Sequence, residues 1–467
     1  MKRIFVAIGN KIHYLLKTLI TITSLLVFIV QALVCCTSNT NKVPDIITFS
    51  EHVAPIIFAT CTPCHQANES APFALTNYQE VRRKGKTIVN VIESGYMPPW
   101  PADTSFSHFV GEKKLTLLQK EIIKKWVNSN MLPGDSTSKF NKQIAIKEVP
   151  DTVIRFTKPI PIQGNNRDFF VAMKLPITLK NNRFIRKINI QPGNKKLLHH
   201  ANVHLVKFED SKKKNIEEGQ HWLNHEQLYD ESVSLHQQLG LLNDDGTYPE
   251  LQPSVCNYLP GMQSVDYPSG IGGFMIPKKS CLYINDMHYG PSSKDTIDAT
   301  TFEFFFENMP PERPIKELQL GTLGVAAVTP PLVILANTID TFFINYTLQK
   351  PITLLTLVPH LHLIGVSMNA TAVLPDGKKI NLIKIPKWNF RWQYNYTFRT
   401  AVCLPKGTRI AVSAVFDNTN NNLLNPNKPP KNVIERLNSM RTTDEMFQFL
   451  MLYIDYQKGD ESLRLDV

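Results

Sequence analysis

The chain has 467 residues, more than one ordinary domain holds, and about two to four domains are predicted. Hydrophobic residues make up 43% and charged residues 19%, a balance that fits globular domains with apolar cores. The net charge of +11 is spread over lysine-rich runs such as VRRKGK and DSKKKN, which predict a solvated basic surface. No basic helix carries interleaved aromatic residues, so a nucleic-acid partner is not predicted.

Residues 1–36 are predicted to be a targeting segment rather than part of the fold. A basic start precedes an uncharged apolar run over residues 18–34, and the sequence CCTSNTN follows. This order resembles a bacterial lipoprotein signal, with Cys35 or Cys36 as the lipid-bearing residue. The alternative is an uncleaved membrane anchor, since the run is at the lower limit for a spanning helix. Both predict a folded part that is exported to the bacterial cell envelope and held at the membrane.

A Cys-x-x-Cys-His motif lies at Cys61, Cys64 and His65. Its spacing is that of covalent haem c attachment, in which both thiols bond to the haem and the histidine becomes an axial iron ligand. A redox dithiol is the alternative, but that motif needs a preceding strand and a surrounding α/β pattern, which are absent here. The motif therefore predicts a haem c cofactor and electron transfer.

Residues 46–135 are predicted to form a small all-α domain of three helices around that haem. The segment resembles the single-haem cytochrome c modules that are fused to exported bacterial enzymes. Met97 is the predicted second axial ligand, because it precedes two prolines that stiffen a loop able to cross the haem face. His52 and His108 are the alternative ligands, and Met131 is assigned to the core or to a helix end.

From residue 150 onwards, short β-branched and aromatic runs are bounded by Pro, Gly and Asn, and few long helical periods intervene. This pattern predicts β-sandwiches, and the length of the region predicts two of them. We place their boundaries at residues 150–312 and 318–467.

His360 and His362 form a His-x-His pair in VPHLHLIG, and Met446 lies in TTDEMFQF. Alternate residues of a strand share a face, so the two histidines are predicted to bind one metal ion together. Imidazole suits copper and zinc, whereas the thioether of Met446 favours copper. A zinc hydrolase is the poorer alternative, because no general-base carboxylate motif accompanies the histidines.

His199 and His200 are adjacent in KKLLHHANVHL, and His288 lies in NDMHYGP. Neighbouring residues of a regular strand point to opposite faces, so this pair needs a bulge or a strand end to reach one ion. We interpret the three histidines as a second copper site. The remaining histidines of the region are assigned to core or surface, namely His204, His221, His225 and His236.

The ordered set HH, HYG, HxH and DEM over residues 150–467 resembles the type II copper monooxygenases of the peptidylglycine α-hydroxylating and dopamine β-hydroxylating kind. The resemblance implies two jelly-roll β-sandwich domains with one copper each. In that family the first copper relays electrons, and its ligands correspond here to His199, His200 and His288. The second copper activates O2, and its ligands correspond here to the catalytic residues His360, His362 and Met446.

Three positions depart from the peptide-hydroxylating pattern. Val358 replaces the arginine that holds the substrate carboxylate, Phe447 replaces a cysteine, and Leu450 replaces a tyrosine. A peptide that ends in glycine is therefore not the expected substrate, which leaves another peptide or a small organic molecule. The aromatic segment 387–398, KWNFRWQYNYTF, is a candidate pocket lining, with a packed strand pair as the alternative.

Together these features predict an exported monooxygenase that hydroxylates an organic substrate with O2 and receives electrons through the fused haem domain from an upstream donor. A polar linker near residues 136–149 is expected to hold the haem close to the copper domains. The alternative is a non-catalytic electron-transfer or copper-binding lipoprotein. Cys256 and Cys281 are a candidate disulfide in an oxidising compartment, and Cys403 has no evident partner.

Overall fold

The protein is described here by a computed structural model. It covers residues 42–135, 148–156, 158–209, 211–224, 234–262, 264, 266–268, 270–436 and 443–466. The predicted targeting segment with Cys35 and Cys36, and also His225, lie outside the described residues. No helix within these ranges is long and apolar enough to cross a membrane.

Residues 42–135 form a helical region. Its elements are a π-helical turn Phe49–Val53 and the helices α1 (Ala54–Thr60), α2 (Tyr78–Glu93) and α3 (Leu117–Asn128). Helix α3 begins at a capping box in which Thr116 and Gln119 satisfy each other's backbone N–H groups. The core centres on the fully buried Trp126, whose ring lies 5.9 Å from that of Phe49. The three helices predicted from the sequence are therefore present.

The first β-group spans residues 152–307. Its strands are β1 (Thr152–Arg155), β2 (Ile160–Ile162), β3 (Phe169–Thr178), β4 (Arg183–Gln191), β5 (Leu198–Lys207), β6 (Trp222–Asn224), β7 (Glu250–Tyr258), β8 (Phe274–Ile276), β9 (Lys279–Tyr289), β10 (Thr296–Asp298) and β11 (Thr301–Glu307), with helix α4 (Leu235–Gln238) between β6 and β7. The main sheets have the orders β1-β11-β4-β8 and β6-β3-β9-β5-β7. Their facing residues share one core, to which Ile188 and Phe304 contribute from one sheet and Val203 and Ile284 from the other.

The second β-group spans residues 316–455. Its strands are β12 (Lys316–Gly321), β13 (Val333–Ile334), β14 (Ile339–Thr347), β15 (Ile352–Leu361), β16 (Gly365–Val373), β17 (Lys379–Ile385), β18 (Tyr396–Leu404), β19 (Arg409–Asp417), β20 (Val433–Ile434) and β21 (Phe447–Asp455). The sheets β12-β21-β15-β18 and β14-β19-β16-β17 pack around a second core that includes Leu354, Met451, Ala370 and Phe416.

The strands of each group form sheets only with one another among the described residues. Both groups are antiparallel, and each buries one large apolar core between two sheets. The predicted predominance of β-sheet after residue 150 is therefore confirmed. The change of group falls between Glu307 and Lys316.

The five cysteines of the described residues are all free thiols: Cys61, Cys64, Cys256, Cys281 and Cys403. Cys256 lies on β7 opposite Val203, and Cys281 lies on β9 opposite Val206. Strand β5 separates the two, so the suggested Cys256–Cys281 disulfide is wrong. The side chains of Cys256 and Cys281 lie in different packing environments, and the sequence alone does not show this difference.

The helical region packs directly on the second β-group through residues 97–113. Phe109 is fully buried and belongs to the core of that β-group. The Val110 N–H donates to the Thr397 carbonyl at 2.7 Å, and Phe109 forms an isolated bridge with Phe398. The helical region is therefore held by buried contacts as well as by the chain that connects it.

Phe109→Ala should lower the free energy of unfolding by about 3–5 kcal/mol, because it empties a fully buried aromatic site. Phe343→Ala is the matched control, since that ring is 46% exposed, and its cost should be about 1 kcal/mol or less. Chemical denaturation followed by tryptophan fluorescence measures both. Equal effects of the two substitutions would show that Phe109 does not anchor the helical region.

Candidate metal centres

A β-bulge in the first β-group brings His199 and His200 close to His288. We call these three residues the first histidine group. Leu198 pairs with Tyr289 and His200 pairs with His288, so His199 is the extra residue between them. A bulge rotates the side chain of the inserted residue relative to its neighbours. The rings of His199 and His200 consequently lie 4.9 Å and 5.0 Å from that of His288.

Gly290 makes room for this arrangement. A Cβ atom at that position would lie 2.4 Å from Cε1 of His199 and 2.5 Å from its Nε2, closer than real side chains approach. The glycine of the HYG sequence is therefore required by the packing of the His199 ring against the backbone.

Carboxylates fix the orientation of two of these rings. His200 Nε2 lies 2.8 Å from Asp286 Oδ2, and His288 Nε2 lies 2.8 Å from Asp168 Oδ1. A carboxylate only accepts hydrogen bonds, so each Nε2 carries the proton and each neutral ring presents a lone pair at Nδ1. The Nδ1 atoms of His199, His200 and His288 are all buried and have no hydrogen-bond partner. Three buried ring nitrogens without partners in one cluster, two of them lone-pair acceptors, fit a bound metal ion.

Burial keeps the imidazoles of His199 and His288 neutral. Burial, followed by the nearby His288 and Arg391, lowers the pKa of His199 to about 3. Burial also lowers the pKa of His288, although the hydrogen bond with Asp168 opposes this shift. Metal ligation requires a deprotonated nitrogen, so these histidines need not release a proton at neutral pH to bind an ion.

Asp168 belongs to this site, although the sequence reasoning missed it. One ligand atom from each of Asp168, His199 and His288 lies within 4.8 Å of the others. Asp168 precedes β3 and is 120 residues from its partner His288, so only the pairing of β3 with β9 brings them together. Asp168 orients His288 through Oδ1, and with His199 and His288 it forms a group of ligand atoms that could hold a metal ion.

The second histidine group, His360 and His362, lies where β15 ends and β21 begins, next to Met446. The rings of His360 and His362 are 5.0 Å apart. His360 Nδ1 contacts Gln393 Oε1, and His362 Nδ1 lies 2.9 Å from the Asp444 carbonyl. Both partners are acceptors, so Nδ1 carries the proton in each neutral ring and the lone pair is at Nε2. Burial, followed by the neighbouring His362, lowers the pKa of His360 to about 3.

Glu445 ties the His-x-His segment to Met446. Its side-chain oxygens accept the N–H groups of His362 at 3.0 Å, Ile364 at 2.9 Å and Met446 at 3.3 Å. Burial raises the pKa of Glu445 to about 8, and these three N–H donors oppose that shift. Met446 is itself 2% exposed. A single buried carboxyl group therefore fixes the backbone of the proposed methionine ligand beside that of His362.

One aromatic ring contacts both histidine groups. The ring of Phe390 lies 5.5 Å from His200 and 6.2 Å from His288 in the first group, and 5.8 Å from His362 in the second. Phe390 belongs to the aromatic segment 387–398. That segment borders both sites, and its residues 388–395 form a turn before β18 rather than a strand pair.

Neighbours of Phe390 contact the two sites separately. An Arg391 Nη atom lies 3.9 Å from Asp168, and Gln393 holds His360 while its amide nitrogen donates to the Phe390 carbonyl at 2.9 Å. The segment therefore links the first site to the second.

The Cys-x-x-Cys-His motif follows α1. His65 Nδ1 lies 3.0 Å from the Phe73 carbonyl, so it donates and leaves the Nε2 lone pair for an axial bond. Burial raises the pKa of the Cys61 thiol to about 12. A redox dithiol needs a thiol that ionises readily, so Cys61 does not have the environment of an attacking redox thiol.

The candidate axial ligands occupy different environments. Met97 is half-buried, and its N–H donates to the Val91 carbonyl at 3.0 Å. His52 Nδ1 accepts the Thr48 N–H at 3.2 Å, and the side chain of His108 is 65% exposed beside Glu112. Of these three candidates, only Met97 has a ligand atom, its thioether sulfur, that is neither hydrogen-bonded within its own helix turn nor paired with a charged side chain at the surface.

No known protein family matches the sequence, and no curated protein matches it. Three solved structures are similar at 9–10% identity: the VP2 subviral particle of infectious bursal disease virus, and that virus in its Gx and Gt strains. Each covers 68% of this chain, with 76%, 75% and 76% of the other chain and TM-scores of 0.17, 0.16 and 0.15. Similarity at this level does not establish a common fold.

Asp286→Asn should weaken metal binding at the first histidine group, measured with copper(II), by about 10–100-fold, the usual cost of losing an outer partner of a metal ligand. The amide keeps the size of the side chain but can turn its NH2 towards His200 and favour the tautomer with a protonated Nδ1. Competition titration with a chelator measures the affinity. Asp295→Asn, at an exposed turn of the same β-group, is the control and should change nothing. Unchanged affinity in Asp286→Asn would contradict the orienting role.

Glu445→Gln should lower the free energy of unfolding by about 1–3 kcal/mol, because an NH2 group would then face backbone N–H donors. It should also weaken metal binding at His360 and His362 while the first group keeps its ion. Denaturation and metal titration test the two effects. Glu209→Gln, with a side chain that is 71% exposed, controls for the loss of charge.

Proposed function

We propose that this chain is a copper-dependent monooxygenase of the cell envelope that hydroxylates an organic substrate and receives electrons through a haem attached to Cys61 and Cys64. The observation that carries the proposal is the clustering of three histidines whose buried Nδ1 atoms have no partner, next to a second histidine pair that shares the Phe390 ring. The resemblance to the type II copper monooxygenases and to cytochrome c modules supports it. We accordingly propose two jelly-roll domains after a small cytochrome c domain.

The chain's own residues would hold the two copper ions and the haem as follows. The first copper takes His199, His200 and His288 through Nδ1, and the second takes His360 and His362 through Nε2 together with Met446. The donor sets fit, because burial lowers the pKa of His199 and His360, hydrogen bonds orient the other three rings, and a buried thioether suits copper. Haem takes the two thiols and His65, with Met97 as the proposed second axial ligand.

Bound copper supplies the activation of O2, and the overall reaction consumes one O2, two electrons and two protons to give the alcohol and one water. The residues around it supply orientation and a dry environment. Asp168, Asp286 and Gln393 fix ring orientation, while Glu445 fixes the backbone of His362 and Met446. Orientation set before binding removes reorganisation from the reaction.

The surroundings of the second group favour a substrate other than a peptide ending in glycine. Val358 and Leu450 are both buried, at 9% and 7% exposed, and offer no group that could bind a carboxylate. They are opposite each other on β15 and β21. We therefore propose a small organic substrate, with an external reductant as the electron source and an N-terminal lipid or anchor at the membrane.

Full-length protein purified from the cell envelope should contain two copper ions and one haem per chain. His360→Ala and His199→Ala should each remove one copper and keep the haem, because each takes a ligand from a different group. Metal analysis and a haem assay measure the contents, and O2 uptake with candidate substrates measures turnover. His221→Ala, with a side chain that is 39% exposed outside both groups, is the matched control. A chain with haem and no stoichiometric copper would overturn the proposal.

A further inference from the structure

The haem-attachment motif faces the first β-group. A Cβ atom at Gly261 would lie 2.4 Å from the Cys64 sulfur, so the motif is packed against this backbone position. Lys113 of the helical region donates to the Gly261 carbonyl, and Lys195 forms an ion pair with Glu69 at 2.7 Å. Lys195 precedes β5 by three residues, so this contact lies at the start of the strand that carries the first histidine pair.

A short stretch of backbone connects this contact to the first histidine group. Tyr258, three residues before Gly261, ends β7 and pairs with Ala201 on β5. Ala201 is bonded directly to His200. Burial raises the pKa of Tyr258, and the charges of Glu69 and Cys64 raise it further, which agrees with a phenol close to the motif. One strand pairing therefore separates the Cys64 contact from a proposed copper ligand.

The helical region is also fixed on the second β-group. The Tyr394 hydroxyl donates to the Pro99 carbonyl at 2.9 Å, and the ring of Trp100 lies 5.2 Å from that of Tyr394 and 5.5 Å from that of Tyr396. With Phe109 in the core, these contacts hold the motif in one position rather than leaving it free on a linker.

We propose that the contact of Cys64 with Gly261 is the point at which electrons pass from the helical region into the first β-group, and that they continue from there through Tyr258 and Ala201 to the first histidine group. This inference rests on the proposed function. In each transfer the ferrous haem loses one electron and becomes ferric, and one copper(II) ion at the first group becomes copper(I). An external one-electron reductant returns the haem to the ferrous state.

Gly261→Ala tests this point of transfer, since the added methyl group displaces the Cys64 sulfur. Gly246→Ala is the matched control: its φ is +80° against +71° at Gly261, but nothing lies within 4 Å of its added Cβ. Both variants therefore carry the same backbone strain, and only one carries the clash. Haem in the copper(II)-loaded full-length protein is reduced by a flash-generated flavin radical under anaerobic conditions. Haem oxidation and loss of the copper(II) resonance signal are then followed.

We expect electron transfer in Gly261→Ala to be at least about tenfold slower than in Gly246→Ala, as for a displacement of about 1 Å in an oriented pair. Haem and copper contents should be unchanged. Equal rates in the two variants, with full haem and copper, would overturn this point of transfer while leaving the proposed function intact. Absence of copper in the parent protein would instead overturn the proposed function.

A charge reversal provides a second test that leaves the backbone unchanged. Glu69→Lys should slow the transfer and increase hydrogen exchange of residues 258–262, and adding Lys195→Glu should restore both. The exchange measurement needs no copper and reports docking directly. A third test uses His199→Ala, which removes a ligand of the first histidine group. If electrons still reached the second copper from the haem at the parent rate, passage through the first histidine group would be contradicted.

Discussion

The candidate site depends on one contact between the two β-groups, the insertion of residues 388–395 between the histidine clusters. Each group folds around its own core, and the two clusters lie on strands that share no sheet. Phe390 contacts rings from both clusters, and Arg391 reaches Asp168 across the boundary. Aromatic ring pairs contribute about 0.5–1.5 kcal/mol each beyond burial, so a single ring with three such contacts stabilises this arrangement substantially.

Hydrogen bonds then decide which nitrogen of each ring is available. In the first cluster carboxylates accept from Nε2, and in the second a glutamine oxygen and a backbone carbonyl accept from Nδ1. The two clusters therefore offer opposite imidazole nitrogens. Two sites of similar composition acquire different geometry in this way, and the difference follows from partners such as Asp286 and Gln393 rather than from the histidines.

Hydrophobic periodicity was sufficient to predict the helices and many of the strands, because each of these elements buries one face. The requirement for a bulge at His199 also followed from the sequence, since adjacent strand residues cannot otherwise share an ion. Asp168 did not follow, and the contact of Phe390 with both histidine groups did not follow either, although its segment was a candidate pocket lining. Their partners are far away along the chain, and neither residue type signals a metal site without that proximity. The Cys256–Cys281 suggestion failed for the same reason, as strand order decides which thiols meet.

The docking of the helical region changes how a fused electron carrier would work. A carrier on a flexible linker acts through its effective concentration, and its transfer rate then depends on linker length. Phe109 inside the core of the second β-group and Cys64 against Gly261 instead fix the separation of donor and acceptor. Under the proposed function, the linker would then have little influence on the transfer rate, and reduction of the haem by an external donor would be the step in electron supply that requires an encounter between molecules.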